Sequence, residues 1–314
     1  MLLKYILHIF LILLTKRKIM SIHHNTFYKT ICTLKKFWHK NDCIILQPLD
    51  ISIGAATFHH HTFFNILKKK PSFIAYIQPS RRPLDGRYTN HPNRLQHYYQ
   101  FQVIMKPAPN NIQQLYLSSL KEIGVDIKNN DIRFIEDNWE NPTLGASGLG
   151  WEIWLNGMEI TQITYFQQMG GINCNQPTIE VTYGLERISM HLQNIDNIYD
   201  IIWDAKNKNK IKYSDIFLHQ EKENSSYNFE FSDTQQILEL FTLHVQEANR
   251  LTNLTIPLSI PAYEQMLYAI HYFNLLDCKK ILSSTDRTNH ILNIRKQIKK
   301  IATQYIYNQK KSKK

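Results

Sequence analysis

The sequence predicts an α+β fold, and three observations carry the prediction. All 10 glycines lie between Gly54 and Gly184. Two segments rich in aromatic and β-branched residues flank Asn156-Gly157, the dipeptide best suited to a type I′ hairpin turn. After Gly184 the apolar residues fall at helical spacing, beginning with Leu185, Ile188 and Leu192. Glycine supplies positive φ and close backbone approach, so its clustering marks a turn-rich β region with ligand-facing loops. Its absence further on marks a helical C-terminal part.

Taken in order, Phe27, Ile31, Leu34 and Trp38 define an amphipathic helix over Thr26–Lys40, and Cys43–Leu46 reads as a strand closed by Pro48. Further strands are expected at Phe73–Gln78, Gln100–Met105 and Asp131–Ile135, with a helix at Leu115–Ile123 between the last two. The hairpin arms are Trp151–Leu155 and Met158–Gln168. Helices then continue to the end: Thr234–Leu251, Ala262–Leu276 started by Pro261, and a last one marked by Ile291, Ile294, Ile298, Ile301 and Tyr305.

With 314 residues, 43% of them hydrophobic and 12% aromatic, the chain can bury a sizeable core, which excludes disorder and collagen-like repeats. The formal charge of +11 suggests nucleic acid until it is located. Residues 1–20 hold +4 and the last nine residues another +4, leaving +3 for the interior. Short lysine tails are ordinarily solvated ends. Cys32, Cys43, Cys174 and Cys278 show no CxxC spacing, so no zinc is expected; buried free thiols in a reducing cytoplasm are the simplest reading. The apolar run Met1–Leu14 falls short of the roughly 20 residues of a bilayer span, so no membrane is expected as a partner. Residues 1–19 read as an extension upstream of a native start at Met20.

Three constellations bear chemistry. The segment from Gln78 to Gln102 places Arg81, Arg82, Arg87 and Arg94 around a Pro/Gly/Asn loop, where guanidinium forks suit phosphates and carboxylates. A solvated surface loop is the weaker reading. The hairpin carries Glu152, Glu159, Gln162, Thr164, Gln167 and Gln168 among aromatics. A sheet face with several polar groups receives a polar ligand or metal, or is simply exposed, and the pattern alone weighs the two equally. Glu180–Arg187 runs from a strand through Gly184 into a helix, where Glu186 and Arg187 would sit beside a phosphate or metal. The run His59–His61 is better placed exposed at a helix start than around a metal.

These residues in this order resemble motifs 1, 2 and 3 of class II aminoacyl-tRNA synthetases. The strings QPSRRPLDGRY, NRLQHYYQFQV, WEIWLNGMEITQITYFQQ and VTYGLERISM are similar to the α-subunit family of bacterial α2β2 glycyl-tRNA synthetases, over about Thr26–Ala302. Departures are Ser147, where the family has an aromatic, and His60, where it has proline.

The resemblance implies a six-stranded antiparallel class II catalytic sheet flanked by helices, spanning residues 20–205, a helical region over 206–305 and a basic tail over 306–314. It implies an α–α homodimer through motif 1, a β subunit that supplies most tRNA recognition, and ATP, Mg2+, glycine and tRNA(Gly) as ligands. Arg81 or Arg82 would hold the α-phosphate and the glycine carboxylate, and the resemblance leaves the two open. Arg94 and His97 would contact the phosphates or nucleotide, Phe101 would lie against adenine, and Arg187, with Glu186 beside it, would pack on adenine or reach the γ-phosphate. Glu159 would be the magnesium-side carboxylate. It would stand beside Gln162 and Gln167 at a glycine site completed by Gln78 and by Glu180, whose carboxylate would pair with the glycine ammonium. A class II paralogue for another small amino acid and a non-catalytic RNA-binding scaffold are the competing expectations.

Overall fold

The computed structural model describes residues 25–206 and 209–311. The reading of residues 1–19 as an upstream extension, and the end of the lysine tail, lie outside them. The first helix, α1 (Phe27–Lys40), starts at Thr26, whose Oγ1 accepts the Lys29 N–H at 3.2 Å. Its buried stripe of Phe27, Ile31, Leu34 and Trp38 lies against the sheet, where Trp38 Nε1 donates to Tyr183 Oη at 3.2 Å.

The sheet is built from β1 (Ile44–Ile45), β2 (Ser72–Arg81), β3 (His97–Lys106), β4 (Ile132–Asn141), β5 (Ala146–Leu155), β6 (Met158–Met169), β7 (Ile172–Asn173) and β8 (Ile179–Gly184). Its order is β1-β2-β3-β8-β6-β5-β4, with β7 paired to β6. The six strands from β2 to β4 are antiparallel neighbours; β1 joins the β2 edge in parallel. The strand expected at Cys43–Leu46 therefore shrinks to two residues, while β2 and β3 run three residues further toward the loop than the apolar pattern alone marks.

The β5–β6 turn has positive φ at Asn156 (50°) and Gly157 (83°), as a type I′ turn requires. Gly150 serves a different purpose. A Cβ there would lie 1.8 Å from Ile163 O, so the close approach of β5 to β6 needs its absence.

Alternation divides the sheet into two faces. One face, with Phe101, Val103, Ile163, Val181 and Tyr183, packs on α1, on α3 (Ile112–Glu122) and on α4 (Leu185–Gln193). The other face is polar at one end. At its far end Phe166 and Met169 join a second core with α2 (His60–Leu67) and the C-terminal helices α6 (Thr234–Thr252), α7 (Ser259–Cys278) and α8 (Ser284–Lys311).

Three features depart from expectation. A hairpin, β9 (Ile202–Lys206) with β10 (Asn209–Lys212), interrupts the expected run of helices, and α5 (Tyr213–Ser226) follows it, ending in a π-helical turn, Tyr227–Phe231. His59 is 2% exposed, because its Nδ1 accepts the His61 N–H at the start of α2 and its ring lies on Tyr76; of the three histidines His61 alone is exposed. Cys43 and Cys278 are buried free thiols, whereas Cys32 and Cys174 are only half-buried.

Candidate active site

The polar end of the second face floors a cavity of about 440 Å3. Register explains its lining. Ser80 lies opposite Tyr98 and Gln78 opposite Gln100, while Gln102 and Gln162 flank Thr182 on its two sides. Tyr98, Gln100, Thr182 and Gln162 thus share one face, and all four line the cavity. Arg82 enters from the end of β2 and Asp85, Asn93 and Arg94 from the loop. Glu159 on β6 and Glu186 and Arg187 on α4 complete the walls.

Arg82 is held by its Nε, which donates to Gly54 O at 2.9 Å, and its guanidinium lies 5.2 Å from the centre of the Tyr98 ring. Arg94 stands 3.8 Å from Asp85. Arg187 Nη1 donates to Glu159 O at 2.9 Å and to Glu159 Oε2 at 3.1 Å. Gln162 Nε2 donates to Asp137 Oδ2 at 2.7 Å. Three arginines therefore converge on one basin whose floor is amide and hydroxyl, an arrangement fitted to a multiply charged anion.

Two carboxylates lie deeper. Glu180, 2% exposed, accepts from Thr57 Oγ1 at 3.0 Å and from Gln102 Nε2, and Thr182 Oγ1 donates to Gln102 Oε1 at 2.7 Å. Burial pushes its carboxyl up to about 8, against the pull of those donors. Glu186 accepts the Tyr99 N–H at 2.8 Å and the Tyr213 hydroxyl at 3.1 Å, and burial raises it to about 7. Its carboxylate thus ties three segments together at the cavity wall.

Of the residues expected at the site, Arg82, Arg94, Glu159, Gln162, Glu186 and Arg187 meet at the cavity, and Glu180, two residues before Thr182 on the same sheet face, lies buried beside Gln102 next to it. Five do not reach it. Arg81 pairs in register with His97, on the face opposite Arg82, and burial together with Arg81 lowers the His97 imidazole to about 4. Phe101 is fully buried against Tyr183 on that same helical face, so it is a core residue and not a wall against a ligand. Gln78, 1% exposed, spends its amide on Leu49, whose N–H donates to its Oε1 at 2.8 Å and whose oxygen accepts from its Nε2 at 3.3 Å. Gln167 is exposed beyond the cavity. Sequence reasoning missed Tyr98, Thr182 and Asn93; counting every second residue back from Gln102 would have found the first.

Fold and site together define an α+β ligand-binding protein whose pocket is made for a polar, anionic ligand. The chain belongs to the glycyl-tRNA synthetase alpha subunit family, whose model matches residues 27–310. It is 62% identical over 286 residues to the glycine–tRNA ligase alpha subunit of Buchnera aphidicola subsp. Baizongia pistaciae (strain Bp), an alignment covering 91% of this chain and 95% of the relative. Two solved structures of a pyrrolysyl-tRNA synthetase from Desulfitobacterium hafniense are 12% identical to it. They give TM-scores of 0.41 and 0.42, covering 59% of this chain and 72% and 77% of theirs.

Proposed function

We propose that the cavity binds ATP and glycine, forms glycyl-adenylate with release of pyrophosphate, and passes the glycyl group to tRNA(Gly) together with a β subunit. An aminoacyl-tRNA ligase of this family uses ATP, and the observation that carries the reading is the 62% identity to a glycine–tRNA ligase alpha subunit along nearly the whole chain. The arginine-walled basin supports it.

The first step is an in-line attack of the glycine carboxylate on the α-phosphorus. A carboxylate oxygen bonds phosphorus as the bond to pyrophosphate breaks, and two anions must be aligned and their charge offset. In the second step a hydroxyl of the terminal tRNA ribose attacks the glycyl carbonyl and AMP departs. We assign the α-phosphate and carboxylate to Arg82, the rest of the triphosphate to Arg94 and Arg187, and the nucleotide to the wall of Tyr98 and Arg187.

Glu180 is assigned the glycine ammonium: approach of that cation favours the ionised carboxyl, and the donors Thr57 and Gln102 already aim at its oxygens. Gln100 and Thr182 line the cavity on the same face as Glu180 and would limit the room for a side chain on the amino acid.

Magnesium ordinarily takes one or two protein carboxylates and fills its remaining positions with phosphate oxygens and water. The described residues suit that mode: no three His, Cys, Asp or Glu side chains converge, but Glu159 lines the cavity beside Arg187. Glu159 would hold the ion, which when bound offsets phosphate charge.

A cytoplasmic catalytic core over residues 20–205, helices over 206–305 and an α–α dimer belong to the same reading. Among the described residues no helix is long and apolar enough to cross a membrane. Charging of tRNA(Gly) with labelled glycine tests the whole proposal. Product should appear only when this chain and a β subunit are both present, and charging with alanine in place of glycine would refute it.

A further inference from the structure

We infer that α5 is the element that positions the arginine loop, through Glu221 and Ser225, which act on the reaction without touching substrate. The inference rests on the adenylate-forming reading of the cavity. Residues 82–96 between β2 and β3 carry Arg82, Asp85, Asn93 and Arg94 to the cavity wall. A loop of that length needs outside contacts to hold one conformation.

Helix α5 supplies them from a single i, i+4 stripe: Tyr213, Phe217, Glu221 and Ser225. Ser225, fully buried, accepts the Tyr88 N–H on Oγ at 3.1 Å. Glu221, 3% exposed, accepts the Gln96 N–H on Oε1 at 2.8 Å. Two main-chain donors, near the loop tip and at its far end, are therefore received one helical turn apart. Phe217 packs on His97 and Tyr99 at the start of β3, and Tyr213 reaches Glu186, which holds the Tyr99 N–H.

The fit is close enough to constrain the loop. A Cβ on Gly86 would lie 2.9 Å from Ser225 Oγ and 3.0 Å from Phe229 Cε2. Tyr88 and Thr89 are both left-handed, with φ of 52° and 70°, a conformation costly for two such residues in succession and kept only where surroundings impose it. The Tyr88 hydroxyl adds a bond to Glu230 at 2.7 Å in the π-helical turn. The loop is thus bent onto the helix, and the bend aims Arg94 back toward Asp85 and the cavity.

The test compares Glu221→Met, which keeps volume and loses the acceptor, with Glu221→Gln, which keeps an acceptor oxygen, and with Ser225→Ala as an independent second site. Two readouts are taken on the full chain with its β subunit: the KM for ATP and kcat in glycine-dependent ATP–pyrophosphate exchange, and amide hydrogen exchange of peptides over residues 82–99. Loop misplacement by about 1 Å costs on the order of a hundredfold, so Glu221→Met and Ser225→Ala should each raise the KM for ATP at least about tenfold. Their loop amides should exchange faster while peptides from α6 to α8 stay unchanged, and Glu221→Gln should stay within about threefold of wild type. Unchanged ATP KM and unchanged loop protection in Ser225→Ala and Glu221→Met would overturn the inference, as would a Gln variant as impaired as Met. If Glu221→Met does not fold, Ser225→Ala decides alone. Loop protection is read without turnover, so an inactive wild type would fail the adenylate reading while leaving this inference separately decided.

Discussion

One guanidinium nitrogen of Arg187 donates both to the main-chain oxygen of Glu159, at 2.9 Å, and to its carboxylate, at 3.1 Å. The first residue stands at the start of α4 and the second on β6, so the pair fixes the cavity wall across two elements. Their side chains are 37% and 35% exposed, and a pair that open to solvent contributes little stability. Its significance is the orientation of the arginine. Arg187→Ala should lower kcat/KM for exchange at least about a hundredfold, the usual effect of removing one preorganised donor. Its melting temperature should stay within about 2 °C of wild type, checked by calorimetry.

Arg81 and Arg82 are adjacent in sequence and opposite in orientation. Arg82→Ala should abolish measurable exchange, whereas Arg81→Ala should retain most activity. Steady-state kinetics of the two variants side by side checks this, and the reverse order would show that the loop end is turned over when ligand binds.

Glu180 gives a pH dependence with a definite sign. Its carboxyl, raised to about 8, is largely neutral at pH 7, and the glycine ammonium assigned to it under the proposed function would pair with the ionised form. The KM for glycine should therefore fall as pH rises from 6.5 through 8, and Glu180→Gln should flatten that profile and raise KM throughout. Stability runs the other way. A folded-state value above the unfolded one, about 4.3, gives stabilisation present below the unfolded value and lost as pH rises through about 8. The melting temperature of wild type should accordingly fall relative to Glu180→Gln between pH 5 and pH 9.

Gly150→Ala places a methyl group 1.8 Å from Ile163 O, a main-chain atom in the middle of the sheet. Relief requires parting β5 from β6, at a cost of about 3 kcal/mol or more. The variant should be largely insoluble or melt at least about 6 °C lower, measured by thermal unfolding. A wild-type melting curve would show that the strand yields more easily than its packing implies.

Phe101 shows where reading from sequence stops. A resemblance assigns roles by position along the chain, but strand alternation sends Phe101 into the helical core and brings Tyr98 to the cavity. Phe101→Leu should therefore lower the melting temperature and leave the KM for ATP within about twofold, while Tyr98→Leu should raise that KM. What was legible was whatever carried a strong period or turn signal: α1, the hairpin at Asn156-Gly157, and the last three helices. The arginine loop and the strand-to-helix turn at Gly184 were legible as chemistry, because charged side chains gathered around glycine and proline have few structural uses. Helix α5 was not, since its stripe mixes Tyr213 and Phe217 with Glu221 and Ser225, and a polar residue that packs by hydrogen bonding leaves no apolar period. Gln78 misled for a related reason: a buried amide satisfied by the main chain of Leu49 reads in sequence like one waiting for a ligand.

The measurement that tests the central claim most directly is ATP–pyrophosphate exchange by this chain, with glycine, alanine and serine compared, alone and with a β subunit. The account predicts exchange with glycine alone among the three, abolished in Arg82→Ala. Absence of exchange with every amino acid even when the β subunit is present, or exchange equal for glycine and alanine, would contradict it.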